Sequence, residues 1–254
     1  MRLLLTSSLG VHRLEDGQWQ TCPLDDKWGL ASLLKEAAGP EVSGLIIASD
    51  PADFEMNDAQ LRDMTQSFAQ SGVELRELFL LDDRNRCELC RLLDRCGLVF
   101  LSGGHVPTEN RFFAEIGLKQ LLRDYDGTVV GTSAGSMNSA DTVYAQPELP
   151  GEAVDPAYQR YLPGLALTRV SILPHFEPDS RETLDGLELM RDIGLPDSFR
   201  RPFVCLSDGG WLLQEGRDAE RVTLSGPAWL CREGRLRPLC GPGEKKDFPA
   251  AELS

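Results

Sequence analysis

The stretch GTVVGTSAGSMNSAD, residues 127–141, decides how the rest of the chain is read. A short apolar run, Val129 and Val130, leads directly into Gly131, Ser133 and Gly135, and helix-compatible residues follow. A strand that turns sharply into a helix at Gly-x-Ser-x-Gly exposes the serine hydroxyl at the carboxyl end of a sheet, and the two glycines let strand and helix approach closely. The Ala134 N–H then points towards a bound carbonyl oxygen, and the start of the helix adds positive potential there. Taken alone, the motif is balanced between an activated nucleophile and a tight turn that happens to hold a serine. Its place between a strand and a helix favours the nucleophile.

Outward from this turn, apolar runs alternate with helical patterns, the signature of a parallel sheet with helices on its faces. RLLLTSS (2–8), GLIIASD (44–50), VELRELFLL (73–81), GLVFLSGG (97–104) and TVVGTS (128–133) read as successive strands. Residues 57–72 read as a helix capped by Asn57 or Asp58, with Leu61, Met64 and Phe68 on one face and Gly72 at its end. Residues 87–96 read as the next helix, closed by Gly97. Thr108 is the expected N-cap of another, which buries Phe112, Phe113, Ile116 and Leu121. The Pro- and Tyr-rich piece at 142–164 reads as loop plus short helix at the rim of the site. Residues 165–176 read as a strand, 180–194 as a helix, and 203–239 as short strands joined by Gly-containing turns. The polar tail at 240–254 carries no signal. The expected fold is therefore α/β, a mostly parallel doubly wound sheet with short antiparallel strands near the C-terminus. With no internal repeat, low-complexity tract or linker, residues 1–254 are expected to form a single domain.

The 254 residues are 41% hydrophobic and 26% charged, which supplies a core and argues against disorder. A net charge of −14 disfavours nucleic acid, whose phosphates would be repelled. MRLLLTSSLG is too short an apolar run for a secretory signal, and no later segment approaches a membrane span. A cytoplasmic protein with neither a nucleic-acid nor a membrane partner is expected. The seven cysteines, odd in number and scattered, point the same way. Cys87 and Cys90 make a CxxC, but Leu89, Leu92, Leu93 and Cys96 share a helical face there. No second pair or nearby His completes a zinc site, so no metal is expected.

A serine nucleophile needs a base, and the base needs an orienting acid. The chain has only three histidines. His12 lies in a polar hairpin and reads as a surface residue. His105 follows Ser-Gly-Gly at a strand end, and His175 ends VSILPHF, 42 residues after Ser133. Strand context favours His175 as general base. The acid stays open. Asp208 sits where an apolar strand breaks into a Gly-containing turn, yet Asp-Gly is also a common hairpin former; Glu177, Asp179 and Asp141 are loop alternatives. Gly103 and Gly104 offer unobstructed N–H groups for an oxyanion hole, with a simple strand-to-loop turn as the plainer reading. A phosphate cradle is weaker, because the run lacks the Lys and Ser/Thr of a P-loop.

As an ordered set, LSGGHVPTEN (101–110), GTSAGSMN (131–138), ILPHF (172–176) and LSDGGWLL (206–213) resemble the serine peptidase family that contains aspartyl dipeptidase (dipeptidase E) and cyanophycinase. That family looks like a variant of the class I glutamine amidotransferase fold, flavodoxin-like, with serine at the position of the amidotransferase cysteine. The resemblance implies Ser133 as nucleophile and His175 as base. It places Asp208 where the family has an acid, often Glu, and Gly104 and Ala134 at the oxyanion-hole positions. The implied activity is a serine-type peptidase or amidohydrolase acting on a short peptide or isopeptide through an acyl-enzyme, without a cofactor.

Two departures bear on the substrate. His105 stands where dipeptidase E carries Asn and cyanophycinase has a Gln nearby, a position that borders the substrate site. Arg181, in PDSRE, is loosely comparable to the Arg with which dipeptidase E binds a substrate aspartate; the alternative is a surface Arg at a helix start. The competing expectations are an esterase or amidase without peptide preference and a non-catalytic, ligand-binding descendant of the fold. A homodimer is the assembly considered.

Overall fold

The computed structural model describes residues 1–217 and 219–254. Twelve strands make its two larger sheets: β1 (Arg2–Thr6), β2 (Gly39–Ile47), β3 (Leu75–Leu81), β4 (Leu98–Leu101), β5 (Thr128–Thr132), β6 (Ile172–Leu173), β7 (Phe203–Leu206), β8 (Trp211–Glu215), β9 (Arg221–Ser225), β10 (Ala228–Arg232), β11 (Arg235–Cys240) and β12 (Lys245–Pro249). The larger sheet runs β12-β9-β8-β1-β5-β4-β2-β3. Its five strands from β1 to β3 are parallel, and β8, β9 and β12 continue it antiparallel from β1. This is the mostly parallel α/β sheet with an antiparallel edge that the sequence predicts. The smaller sheet, β6-β7-β10-β11, is an addition the sequence reading lacks.

Period-2 alternation divides the core between the two faces of the large sheet. Leu3, Leu5, Leu45, Ile47, Val99, Leu101 and Val129 point to one side. There they meet α3 (Leu89–Leu93), α4 (Val106–Glu115) and α5 (Leu118–Arg123) through Leu92, Phe112, Phe113 and Leu122. Leu4, Ile46, Leu98, Phe100 and Val130 point to the other, against α1 (Leu30–Ala37) and α2 (Phe54–Ser71) through Leu30, Leu34, Met64 and Phe68. Coverage on both faces explains why these strands read as continuous apolar runs. Each fully buried Leu contributes about 2 kcal/mol.

Several local expectations are corrected. The helix expected from residue 57 starts one turn earlier, and its N-cap is Asp53, whose carboxylate accepts from the Met56 N–H at 3.1 Å. Asn57 is instead buried and donates to the Asp50 carbonyl. Gly72 ends the helix, left-handed at φ 68°, as expected. Helix α4 begins at Val106, with Pro107 in its first turn; the N-cap position belongs to His105, not Thr108.

The strand expected over 165–176 shrinks to β6, ended by Pro174 and a left-handed His175. The helix expected over 180–194 is a two-residue-loop hairpin, Thr183–Leu184 with Leu187–Glu188, followed by a π-helical turn at Leu189–Gly194. Asp185 and Gly186, at φ 52° and 82°, supply the two positive φ values such a turn requires, a signal that outranks the weak helical period. Residues 142–164 hold a small antiparallel pair, Thr142–Tyr144 with Tyr161–Pro163, and no α-helix. The tail is structured as well. Lys245, Lys246 and Pro249 lie in the edge strand β12, where such residues discourage further pairing, and Leu253 is fully buried. No described helix is long and apolar enough to cross a membrane.

Candidate active site

Strand β5 lies between β1 and β4, with Thr132 paired to Thr6 and Gly131 to Leu101. The ends of the three strands therefore bring Ser7, Ser102–Gly104 and Ser133 to one carboxyl edge, where open α/β sheets bind ligands. Between β5 and the five-residue helix α6 (Ala134–Asn138), Ser133 takes φ 51° and ψ −116°, a conformation that costs a non-glycine residue about 1–3 kcal/mol. The surroundings hold it there. The Ser133 N–H donates to the Thr6 carbonyl at 3.0 Å. Ser136, fully buried, accepts from the Thr6 N–H, and its hydroxyl lies 2.8 Å from both the Thr6 and Gly131 carbonyl oxygens, which share its one proton, tying α6 to β1 and β5.

Both glycines of the turn are required by close approach. A Cβ at Gly131 would lie 2.9 Å from the Gly135 carbonyl oxygen and from Ser136 Cα. At Gly135 it would collide with the backbone of Leu101. Gly135→Ala is thus expected to destabilise the protein by about 3 kcal/mol, lowering its melting temperature by about 6–12 °C. An unchanged thermal melt would contradict the packing described.

His175 and Asp208 reach Ser133 from the smaller sheet. His175 follows β6 and, like Ser133, has a positive φ, 56°. It is fixed on its far side by the Phe176 N–H donating to the Leu206 carbonyl at 2.9 Å and by Ser207 Oγ donating to the Phe176 carbonyl at 2.8 Å. Asp208 follows β7 in a turn whose Gly209 is left-handed. His175 Nε2 lies 2.9 Å from Ser133 Oγ, and Nδ1 lies 2.7 Å from Asp208 Oδ1. The His175 and Asp208 side chains are about half exposed, at 50% and 59%. Of the acids left open by sequence, Asp141 instead pairs with Arg201, and Glu177 and Asp179 are exposed.

Gly104 lines the same cavity as Ser133 and His175, of about 310 Å³. A Cβ on Gly104 would press on Ser49, and one on Gly103 would lie 3.0 Å from Ser133 Cβ, so close packing favours glycine at both positions. Among the described residues, the N–H groups of Gly104 and Ala134 make no hydrogen bond within the protein. With only five residues, α6 adds little dipole of its own.

The two expected substrate-side residues sit elsewhere. His105 lies between Thr108 Oγ1 and Glu152 Oε1, each at 2.8 Å, and fastens the loop at 145–160 to the start of α4 rather than lining the cavity. Arg181 is exposed in a segment with no helix start, while its neighbours Ser180 and Glu182 line the cavity. His12 is an exposed hairpin residue, 2.8 Å from Asp63.

Sequence reasoning missed Glu148. It lines the cavity from the 145–160 loop, open to the cavity's solvent while protein crowds its carboxyl. Burial, then the charge of Glu152, push its pKa up to about 7, against the opposing pull of the Val106 N–H and His175. Glu152 goes the other way. Burial raises it too, but the N–H groups of Glu148 and Leu149 together with His105 outweigh that and hold it below the usual carboxylate range. Behind the site, Glu109 is fully buried, and burial pushes its carboxyl well up while Asn138 Nδ2 donates to it at 2.8 Å. That contact couples α4 to α6.

Because the folded pKa of Glu148 exceeds its unfolded value, the folded state keeps a proton that the unfolded chain has lost between pH 4.5 and 7. Wild-type stability therefore falls through that window, and the penalty is complete above it. Glu148→Gln lacks the penalty. Relative to wild type, its melting temperature should rise as pH goes from 4.5 to 7, then level off. Allowing for the solvent around Glu148, the gain is about 1 kcal/mol, or about 2–4 °C. A difference that is flat with pH would contradict the crowding described.

The sequence profile of peptidase family S51 matches residues 51–222, a span that contains Ser133, His175 and Asp208. A crystal structure from Listeria monocytogenes EGD-e, designated a candidate peptidase E, is similar in fold with a TM-score of 0.56. The match covers 94% of this chain and 98% of that one at 15% sequence identity. No curated protein matches the chain.

Proposed function

Because this chain belongs to peptidase family S51, we propose that it is a serine peptidase of short peptides, working through Ser133, His175 and Asp208. The observation that carries this reading is the unbroken run of 2.9 Å and 2.7 Å contacts from Ser133 Oγ through the His175 ring to Asp208. Asp208 holds the proton on Nδ1, which leaves Nε2 free to accept from the serine hydroxyl. Ser133 Oγ attacks the scissile carbonyl carbon as its proton passes to Nε2. The resulting oxyanion is met by the N–H groups of Gly104 and Ala134. Collapse breaks the C–N bond, His175 returns the proton to the leaving amine, and an acyl-enzyme remains. A water molecule, deprotonated by His175, attacks the ester and releases the second product and Ser133.

A cavity of about 310 Å³ suits a short peptide, and free thiols at all seven cysteines suit a cytoplasmic setting. The test is a panel of dipeptides, β-aspartyl dipeptides and simple esters. Amide cleavage that is lost in His175→Ala supports a peptidase, and turnover confined to esters overturns it in favour of an esterase. A non-catalytic descendant has no need of a histidine held at 2.9 Å from the serine.

A further inference from the structure

Apart from His175, every charged side chain lining the Ser133 cavity is a carboxylate. Glu148 comes from the 145–160 loop, Glu177 lies two residues beyond His175, and Glu182 precedes the small hairpin. Among the described residues no Lys or Arg lines it. Two chain segments, the 145–160 loop and the stretch from His175 to the small hairpin, thus converge on one volume with the same sign of charge. A substrate carboxylate entering there would meet like charges in a partly desolvated space, where repulsion is stronger than in water. An ammonium or guanidinium would be attracted instead.

The apolar lining narrows the choice. Met137, Leu184, Leu189 and Met190 share the cavity with the carboxylates. Such a wall fits the methylene stem of a Lys or Arg side chain, which buries its hydrocarbon while its charged end reaches a polar partner. Thioether side chains also adapt to stems of different length.

We propose that the cavity beside Ser133 binds a positively charged group of the substrate, a lysine or arginine side chain, with Glu148 as its principal partner. The role deepens the peptidase reading and rests on it for its place in a reaction. Glu148 suits it because the cost that burial and then Glu152 place on its negative charge is offset by an arriving cation. Glu177 and Glu182 supply the surrounding negative field. The acidic-substrate expectation attached to Arg181 does not fit this lining.

Binding tests the inference apart from turnover. The full-length Ser133→Ala protein is titrated calorimetrically with the amides of acetyl-Lys-Ala, acetyl-Met-Ala and acetyl-Asp-Ala, and with unacetylated Met-Ala amide. The acetyl-lysyl peptide should bind about tenfold more tightly than the acetyl-methionyl one, and the aspartyl peptide most weakly. Adding Glu148→Gln should shrink the lysine advantage to about threefold or less, and Glu148→Asp should restore part of it.

Free Met-Ala amide matching acetyl-Lys-Ala amide, with acetyl-Met-Ala amide weak, would assign the cation to the substrate α-amine and overturn the side-chain assignment. Equal binding of the lysyl and methionyl acetyl peptides, tightest binding of the aspartyl peptide, no binding of any at millimolar concentration, or indifference to Glu148→Gln would each overturn the proposal. A fluorophosphonate that labels wild type despite such a result leaves the peptidase reading standing alone. Cation preference in a protein that the probe does not label leaves the binding site standing without the peptidase.

Discussion

Ser133→Ala should lower peptide turnover by about 10⁵- to 10⁶-fold, the scale on which serine hydrolases lose activity when the nucleophile is removed. The protein should otherwise be unchanged. Ser133 Oγ contacts the ring of His175, while the turn is held by the Ser133 N–H and by Ser136. Alanine meets the same positive φ as serine does, so the strain is retained rather than relieved. The melting temperature should stay within about 2 °C of wild type, the range of substitutions that break no packing. Purified full-length variants, assayed on one cleaved dipeptide with thermal melts alongside, give both numbers. A variant that retains even a tenth of wild-type turnover contradicts a covalent role for Ser133.

Asp208→Asn should lower kcat by about 10²- to 10³-fold. The effect is one of tautomer. Asp208 Oδ1 accepts the Nδ1 proton of His175 at 2.7 Å and so keeps Nε2 bare for the Ser133 hydroxyl. An amide NH₂ in that place donates to Nδ1 and drives the proton to Nε2, where it faces the serine and blocks proton transfer. In buried triads this change costs about 10⁴. The smaller figure follows from exposure. With His175 and Asp208 about half open to solvent, water can take the place of the amide oxygen and screens the carboxylate's charge. A loss below tenfold would show that Asp208 does not hold the histidine. A loss equal to that of Ser133→Ala would show that the site closes over the pair during turnover.

The parallel half of the fold was legible because its central strands carry apolar runs buried on both faces, and only the edge strand β3, exposed at Arg76 and Glu77, departs from that pattern. Ser133 stands out in sequence because Gly131 and Gly135 flank it between a strand and a helix, and the close approach at both glycines is what the structure shows. With only three histidines, strand-end position nominates His175 and the ordered motifs, not spacing, nominate Asp208, and the fold brings both within contact of one another beside Ser133.

What failed has physical causes. The smaller sheet is built from strands of two to six residues, too short for a clear period, so β6 was overextended through the loop before it. At 180–194 the leucines at 184, 187 and 189 fit helix and hairpin alike, and the Asp185-Gly186 pair is the signal that decides for the hairpin. Glu148 had no local signature. In sequence it is one acid in a Pro-rich loop, and its raised pKa comes first from burial and then from the charge of Glu152, a setting that only the folded chain supplies. His105 shows the reverse. It lies beside the glycines that line the site, but Thr108 and Glu152 engage both of its ring nitrogens.

The measurement that bears most directly on the central claim is the site of reaction with a fluorophosphonate probe. Such a probe phosphonylates a serine whose hydroxyl is activated by a neighbouring base. Intact-mass and peptide-level analysis of the wild-type protein should find one adduct, on Ser133, and the adduct should be absent from Ser133→Ala and strongly reduced in His175→Ala. Equal labelling of wild type and Ser133→Ala, or no labelling of the folded wild-type protein, would contradict the assignment of Ser133 as the nucleophile.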